Sequence, residues 1–223
     1  MPQEITTINL TGVNCYLLKT GEGYILIDTG FSNKRSFLEK KLRDLGCLPG
    51  RLKVVILTHG DSDHAGNSDY LRKKYGVKIA MHAADAGMVE RGDMSVNRKT
   101  KPDKMSLIFK IISWTTPLFV KPAKFEVFSP NLTIDESFDL SVYGSDARII
   151  HLPGHSKGSI GVLTTGGDLF CGDLLYNMLG FNFIDNFADF RGSIEKLKPL
   201  NIKTIFPGHG KPFSMKRFLS KYK

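Results

Sequence analysis

Long apolar runs are missing from this 223-residue chain. None approaches the roughly 20 residues that a helix needs to cross a bilayer, so no membrane span is expected. The opening "MPQEITTINL" has no basic segment followed by an apolar core, and no export leader is expected either. Cysteine is scarce: Cys15, Cys47 and Cys171 are odd in number and widely spaced. That argues against a disulfide framework and for reduced, buried thiols in a cytoplasmic protein. Repeats and low-complexity blocks are absent. A composition of 41% hydrophobic and 24% charged residues suits one well-buried domain over residues 1–223.

Acidic residues are also in deficit, which leaves a net charge of +9. Much of the excess sits in "KKLR", "NRKTKPDK" and the tail "KPFSMKRFLSKYK". A solvated surface, a nucleic-acid partner and an anionic small substrate all fit such a balance. Oligomeric state is not legible in the sequence.

Short β-rich segments, "EITTINL", "NCYLLKT" and "GYILID", open the chain and predict an antiparallel meander. "SNKRSFLEKKLRDLG" places Phe37, Leu38, Leu42 and Leu45 on one helical face, with Gly46 as a stop. A strand at 53–57, a helix of about ten residues, a strand at 77–81 and a short helix near "AADAGMVE" follow. Strands return at 147–151, 159–164 and 168–172, then a helix around "SIEKLKPL", a strand "KTIF" and an amphipathic tail. Strands in both halves with helices behind them predict packed sheets covered on their outer faces. Residues 91–122 interrupt the pattern as a helical insertion. It packs on the domain, touches lipid, or forms a lid whose Phe109, Trp114 and Phe119 wall a substrate pocket.

Chemistry concentrates in "LTHGDSDHAGN", Leu57 to Asn67, directly after the apolar run "LKVVIL". His59, Asp61, Asp63 and His64 crowd one turn at a strand's end. Imidazoles and carboxylates at that density suit zinc, iron or manganese. Four polar groups buried merely to satisfy one another would be costly. Three further segments supply matching parts: "PGHSKGSIG" with His155, "LFCGDLLY" with Asp173, and "TIFPGHGKP" with His209. Each follows an apolar strand, so all could gather on one rim of the sheets. His82 and His151 have no comparable setting and are read as structural or supporting groups.

Together these motifs resemble the metallo-β-lactamase-fold hydrolases, in the branch of glyoxalase II thioesterases and quorum-sensing lactonases. The likeness runs from "NCYLL" and "ILIDTG" through "THGDSDHAGN", "PGHSKGS" and "GD" to "PGHG". It implies an α/β fold, an αββα sandwich of two mixed sheets flanked by helices, with a dinuclear metal site at one edge. By motif, His59, Asp61 and His155 would hold one divalent ion. Asp63, His64 and His209 would hold the other, and Asp173 would bridge. Asp28 and Gly30 of "DTG" match a supporting turn. The implied activity is hydrolysis of an ester, lactone, thioester or related acyl bond of a small molecule by a hydroxide held between the metals. Asp63 and Asp173 would accept protons. Tyr176 would either hydrogen-bond the substrate carbonyl or pack below the site. A metal-dependent phosphodiesterase or nuclease is the competing reading.

Most members of that family carry a second histidine where this chain has Asp61. With aspartate there, zinc remains the first expectation and iron and manganese become serious candidates. Three carboxylates facing two divalent ions also lower the local charge, from which a less acidic metal-bound water and a raised pH optimum are expected.

Overall fold

Alternating burial along the strands sets the frame. In the computed structural model, which describes residues 4–105, 107, 126–176 and 183–222, β1 (Glu4–Asn9) pairs antiparallel with β2 (Asn14–Lys19). β2 turns Cys15 and Leu17 to one side and Tyr16 and Leu18 to the other, and all four are buried. Burial on both faces identifies an inner strand, where a side-chain period of two feeds two separate cores. β3 (Tyr24–Ile27) completes the predicted meander. β4 (Leu52–Ile56), β5 (Lys78–Met81) and β7 (Leu132–Thr133) then extend the sheet in parallel, in the order β1-β2-β3-β4-β5-β7.

A second, five-stranded sheet runs β13-β12-β10-β9-β8. It comprises β8 (Arg148–His151), β9 (Ile160–Leu163), β10 (Asp168–Phe170), β12 (Thr204–Phe206) and β13 (Phe213–Ser214). Only β10 and β12 pair in parallel. Between the sheets lies a core of Tyr16, Ile27, Ile56, Ile149, Val162 and Phe170. The outer face of the first sheet packs on α1 (Arg35–Asp44), α3 (Ser68–Tyr75) and α4 (Ala83–Arg91) through Leu38, Leu42, Leu71 and Val89. The outer face of the second packs on α5 (Phe187–Leu197) and α6 (Met215–Lys221) through Ile194, Leu197 and Met215. Four layers result, helix–sheet–sheet–helix, as the sequence predicts.

Local departures have local causes. The single helix of about ten residues expected after the strand at 53–57 is instead α2 (Ser62–Ala65) and α3, separated at Gly66 and Asn67. The Asn67 amide donates to the carbonyls of Thr29 (2.7 Å) and Phe31 (2.9 Å), which ties the break to the turn after β3. α5 begins at Phe187, earlier than "SIEKLKPL" suggests. Asn186 caps it by accepting from the backbone N–H groups of Ala188 and Asp189, a start signal the apolar spacing does not carry. Two short strands, β6 (Lys104–Met105) and β11 (Phe183–Ile184), pair with each other beside the site. The expected lid residues Phe109, Trp114 and Phe119 lie outside the described residues. All three cysteines are free and buried. No described helix is long and apolar enough to cross a membrane.

Phe170 is fully buried between the sheets, with its ring 5.0 Å from Tyr16 and 4.9 Å from Phe206. Phe170→Ala should lower unfolding stability by about 3–5 kcal/mol in urea denaturation, because the two sheets cannot collapse onto the lost ring. A loss below about 1 kcal/mol would mean this inter-sheet core is not close-packed.

Candidate metal centre

Every chemically distinctive side chain follows the last residue of a strand. Asp28 follows β3, the segment His59–His64 follows β4, His155 follows β8, Asp173 follows β10 and His209 follows β12. Backbone hydrogen bonds lock the two sheets' loops together there. Ile160 N–H donates to Thr58 (2.8 Å), Gly208 N–H to Gly172 (2.7 Å), and Asn14 N–H to Gly208 (2.8 Å). Gly208 must lack a side chain, since a Cβ would stand 2.6 Å from His64 Cε1.

The seven residues singled out in the sequence meet at the floor of one cavity. Asp63, His64, Asp173 and His209 offer ligand atoms that all lie within 4.8 Å of one another, and so do His59, His155 and Asp173. Asp173 is common to both groups. Its Oδ1 is 3.2 Å from His64 Nε2 and its Oδ2 is 3.2 Å from His209 Nε2. Asp63 Oδ2 is 3.2 Å from His209 Nε2. Asp61 Oδ2 stands 3.0 Å from His155 Nε2 and 3.4 Å from His59 Nε2.

Each imidazole aims Nε2 inward and engages a partner through Nδ1. His64 Nδ1 meets Asp28 Oδ2 at 2.8 Å, and His59 Nδ1 meets Thr58 Oγ1 at 3.0 Å. His155 Nδ1 lies 3.2 Å from the Phe183 carbonyl, and His209 Nδ1 lies 2.8 Å from the Gly12 carbonyl. This is the orientation that metal-ligating histidines require. His59 Nε2, His64 Nε2, Asp61 Oδ1 and Asp173 Oδ1 are buried with no hydrogen-bond partner among the described residues. Such orphaned atoms are costly unless something completes them, and this donor set fits divalent cations.

Asp28 supports the centre by holding the His64 imidazole directly and that of His59 through Thr58. Its carboxylate accepts from Thr58 N–H and Thr58 Oγ1–H, each at 2.8 Å, as well as from His64. It does so at φ 59°, in the left-handed region. Asp85, which carries no motif signal, is buried and binds both ligand loops. It accepts from Gly60 N–H at 3.2 Å, Ser156 Oγ–H at 2.6 Å and Gly158 N–H at 2.7 Å.

Electrostatics at the centre follow from crowding. Burial opposes charge on His64, yet Asp173, Asp28 and Asp63 hold it well above the ordinary imidazole value. His209 is pushed up to about 10: burial opposes this too, but Asp173 and Asp63 prevail. Burial works against the Asp173 carboxylate, which His209 and His64 nevertheless keep well below its usual range. Burial pulls His155 down, against the pull of Asp61. Burial first, and Asp173 beside it, raise Tyr176 well above an ordinary phenol, so its hydroxyl stays protonated. That hydroxyl is 3.5 Å from His155 Nδ1 and lines the cavity.

The cavity above these groups holds about 750 Å³, with Val13, Phe31 and Phe183 among its apolar walls and Lys211 at its edge. His82 and His151 are not part of it. They stack on each other at 4.3 Å, and His82 caps α4 by accepting from Ala84 N–H.

Arg98, read from the sequence as part of a basic surface segment, reaches into the site. Its Nη1 is 2.9 Å from Asp61 Oδ1 and its Nη2 is 2.9 Å from Asp61 Oδ2. Its positive charge restores the formal total that a histidine at position 61 would give. The ground for a raised pH optimum therefore disappears.

Residues 8–209 match the family model of the metallo-beta-lactamase superfamily. The chain belongs to that superfamily. Among its curated relatives is hydroxyacylglutathione hydrolase GloC of Haemophilus influenzae, 29% identical over 93% of this chain and 90% of that protein. The acyl-coenzyme A thioesterase MBLAC2 of Gallus gallus is 25% identical over 92% of this chain and 74% of its own length. The beta-lactamase-like protein 2 homologs of Caenorhabditis elegans and Drosophila melanogaster are 27% and 24% identical, and this chain spans 57% and 61% of their lengths. The crystal structure of a metallo-beta-lactamase family protein from Thermus thermophilus superposes with a TM-score of 0.71 at 23% identity, covering 99% of this chain and 77% of that one. That likeness shows the superfamily's fold.

Cations entering the centre must displace the protons that His64 and His209 carry. Titrating the cation-free protein with zinc near neutral pH should release about two protons per chain, read in a weakly buffered solution. Affinity should rise with pH towards the His209 value of about 10 and weaken as pH falls. Metal binding without proton release would contradict this account of the centre.

Proposed function

We propose that this protein is a metal-dependent hydrolase of a small acyl substrate, a thioester or ester, with two divalent ions at the floor of the cavity. Convergence of four imidazole Nε2 atoms and the carboxylates of Asp61, Asp63 and Asp173, four of their atoms orphaned, carries the reading. His59, Asp61 and His155 would hold one ion, Asp63, His64 and His209 the other, and Asp173 both. Bound divalent cations supply Lewis acidity and an activated water. Zinc is the first candidate, and iron or manganese fit the carboxylate-rich set.

The protein's own groups do the rest. Asp63 Oδ2 and Asp173 Oδ2 flank the His209 Nε2 atom and are the natural acceptors for the water's proton. The Tyr176 hydroxyl, kept protonated, donates a hydrogen bond to the carbonyl oxygen as negative charge develops there. Val13, Phe31 and Phe183 contact the apolar part of the acyl group and exclude bulk water from the reacting carbonyl. Relatives described as an acyl-coenzyme A thioesterase and a hydroxyacylglutathione hydrolase support a thioester as the bond cleaved.

A panel of acyl thioesters, lactones, β-lactams and phosphodiesters, assayed with zinc, iron or manganese, tests this directly. Thioester or ester turnover is expected, abolished by a chelator and restored by metal. His59→Ala and Asp173→Ala should lower it by at least about 10²–10⁴-fold, and Tyr176→Phe by about tenfold. Turnover of phosphodiesters alone, or unchanged rates in His59→Ala and Asp173→Ala, would overturn the reading.

A further inference from the structure

The two ligand groups differ in what surrounds them. Asp63, in the group with His64 and His209, is ion-paired with those two imidazoles alone among the described residues. Asp61, beside His59 and His155, is ion-paired with the Arg98 guanidinium, which donates from Nη2 to Oδ2 at 2.9 Å and brings Nη1 within 2.9 Å of Oδ1. Arg98 Nη2 also lies 3.2 Å from His155 Nε2, the atom that would face a cation.

This placement of Arg98 is built into the fold. Asn97, immediately before it, sits at φ 59° and donates from Nδ2 to the carbonyl of Ala84 in the first turn of α4, at 2.7 Å. Lys99, immediately after, donates its N–H to Asp185 Oδ1 at 2.9 Å. Asp185 is buried, and its own N–H bonds the Gly154 carbonyl at 2.9 Å, next to His155. The guanidinium lies over the Phe183 ring, 5.1 Å from its centroid, and donates from Nη1 towards the Met94 carbonyl at 3.3 Å. Both neighbours of Arg98 are thus pinned, one to the helix after β5 and one to the loop that carries a ligand. Its side chain is 11% exposed.

We propose that Arg98 and Asp61 form one electrically neutral unit that makes the two cation positions unequal. The group around Asp63 retains a full negative charge of its own and fills first. The group around Asp61 has its charge cancelled by a fixed guanidinium at the edge of the cation's position, and it fills second and more weakly. Arg98 is a positioning residue here: it orients the Asp61 carboxylate and sets the field felt by the second ion, without itself ligating. In a site shielded from water, a unit charge held within a few ångströms changes the affinity for a divalent ion by about tenfold or more. The inference rests on the reading that both groups hold divalent cations.

Zinc titration of the cation-free protein, in competition with a chromophoric chelator, reads both affinities without any substrate. Wild type should bind two ions with affinities at least about tenfold apart. Arg98→Met, which keeps the length and removes the charge, should strengthen the weaker of the two by at least about tenfold. Asp61→Asn should abolish the weaker binding and leave the tighter within about twofold. It also keeps the inference testable if Arg98→Met does not fold. Equal affinities in wild type would overturn the proposal, as would unchanged or weaker second-ion binding in Arg98→Met. Failure to bind any ion would overturn the functional reading as well. Two unequal ions without acyl hydrolysis would overturn only the function.

Discussion

Crowding three carboxylates and four imidazoles, four of the seven buried, onto the floor of one cavity is the constraint on which the rest of the molecule turns. A buried charge is costly unless paired, and a buried imidazole nitrogen is costly unless bonded. The protein relieves part of this cost with its own groups: Asp28 on His64 and Thr58, Thr58 on His59, and Arg98 on Asp61. It leaves His59 Nε2, His64 Nε2, Asp61 Oδ1 and Asp173 Oδ1 without a hydrogen bond. The surrounding carboxylates raise the pKa of His64 and His209, which offsets part of the remainder, and the proposed divalent ions would offset more.

The fold serves this crowding by keeping it off the strands, in the loops and the short α2 that follow them. Strands buried on both faces form rigid inner layers, and the polar residues of the site lie in the loops beyond their carboxyl ends. The interior of the sandwich therefore stays apolar, with Tyr16, Phe170 and Phe206 packed between the sheets. Tyr16 also donates through its hydroxyl to the Pro207 carbonyl at 2.5 Å, and Asn14 donates to the carbonyls of Pro207 and Gly210. The turn that presents His209 is thus fixed by a strand from the opposite end of the chain. Asp85 does the equivalent for the turns of Gly60 and Ser156. Rigid loops of this kind hold ligands at set distances, which a loop left to solvent would not do.

Much of this was legible in the sequence because the signals were dense. Two histidines and two aspartates in six positions after "LKVVIL", and single ligands after three other apolar strands, predicted the rim where the seven residues meet, and the family resemblance those motifs carry implied the four-layer fold. What escaped was carried by single residues whose meaning depends on distant partners. Arg98 reads as one cation among several in "NRKTKPDK", and nothing local reveals that Asn97 and Lys99 are tied down so that it points inward. Asp85 reads as an acidic residue at a helix start, a common placement with a purely local explanation. Asn186 and Asn67 set helix boundaries by capping and bridging rather than by apolar spacing, so the starts of α3 and α5 were displaced. Asp61 shows the same limit from the other side. Its identity invited a charge argument that was incomplete until its partner was known.

The central claim is that the two groups sharing Asp173 are cation positions. Anomalous diffraction from crystals grown with zinc, recorded on either side of the metal's absorption edge, measures this most directly. The account predicts one peak within bonding distance of Asp63, His64 and His209 and a second within bonding distance of His59 and His155, with Asp173 between them. Peaks confined to the protein surface, or none at the cavity floor, would contradict it.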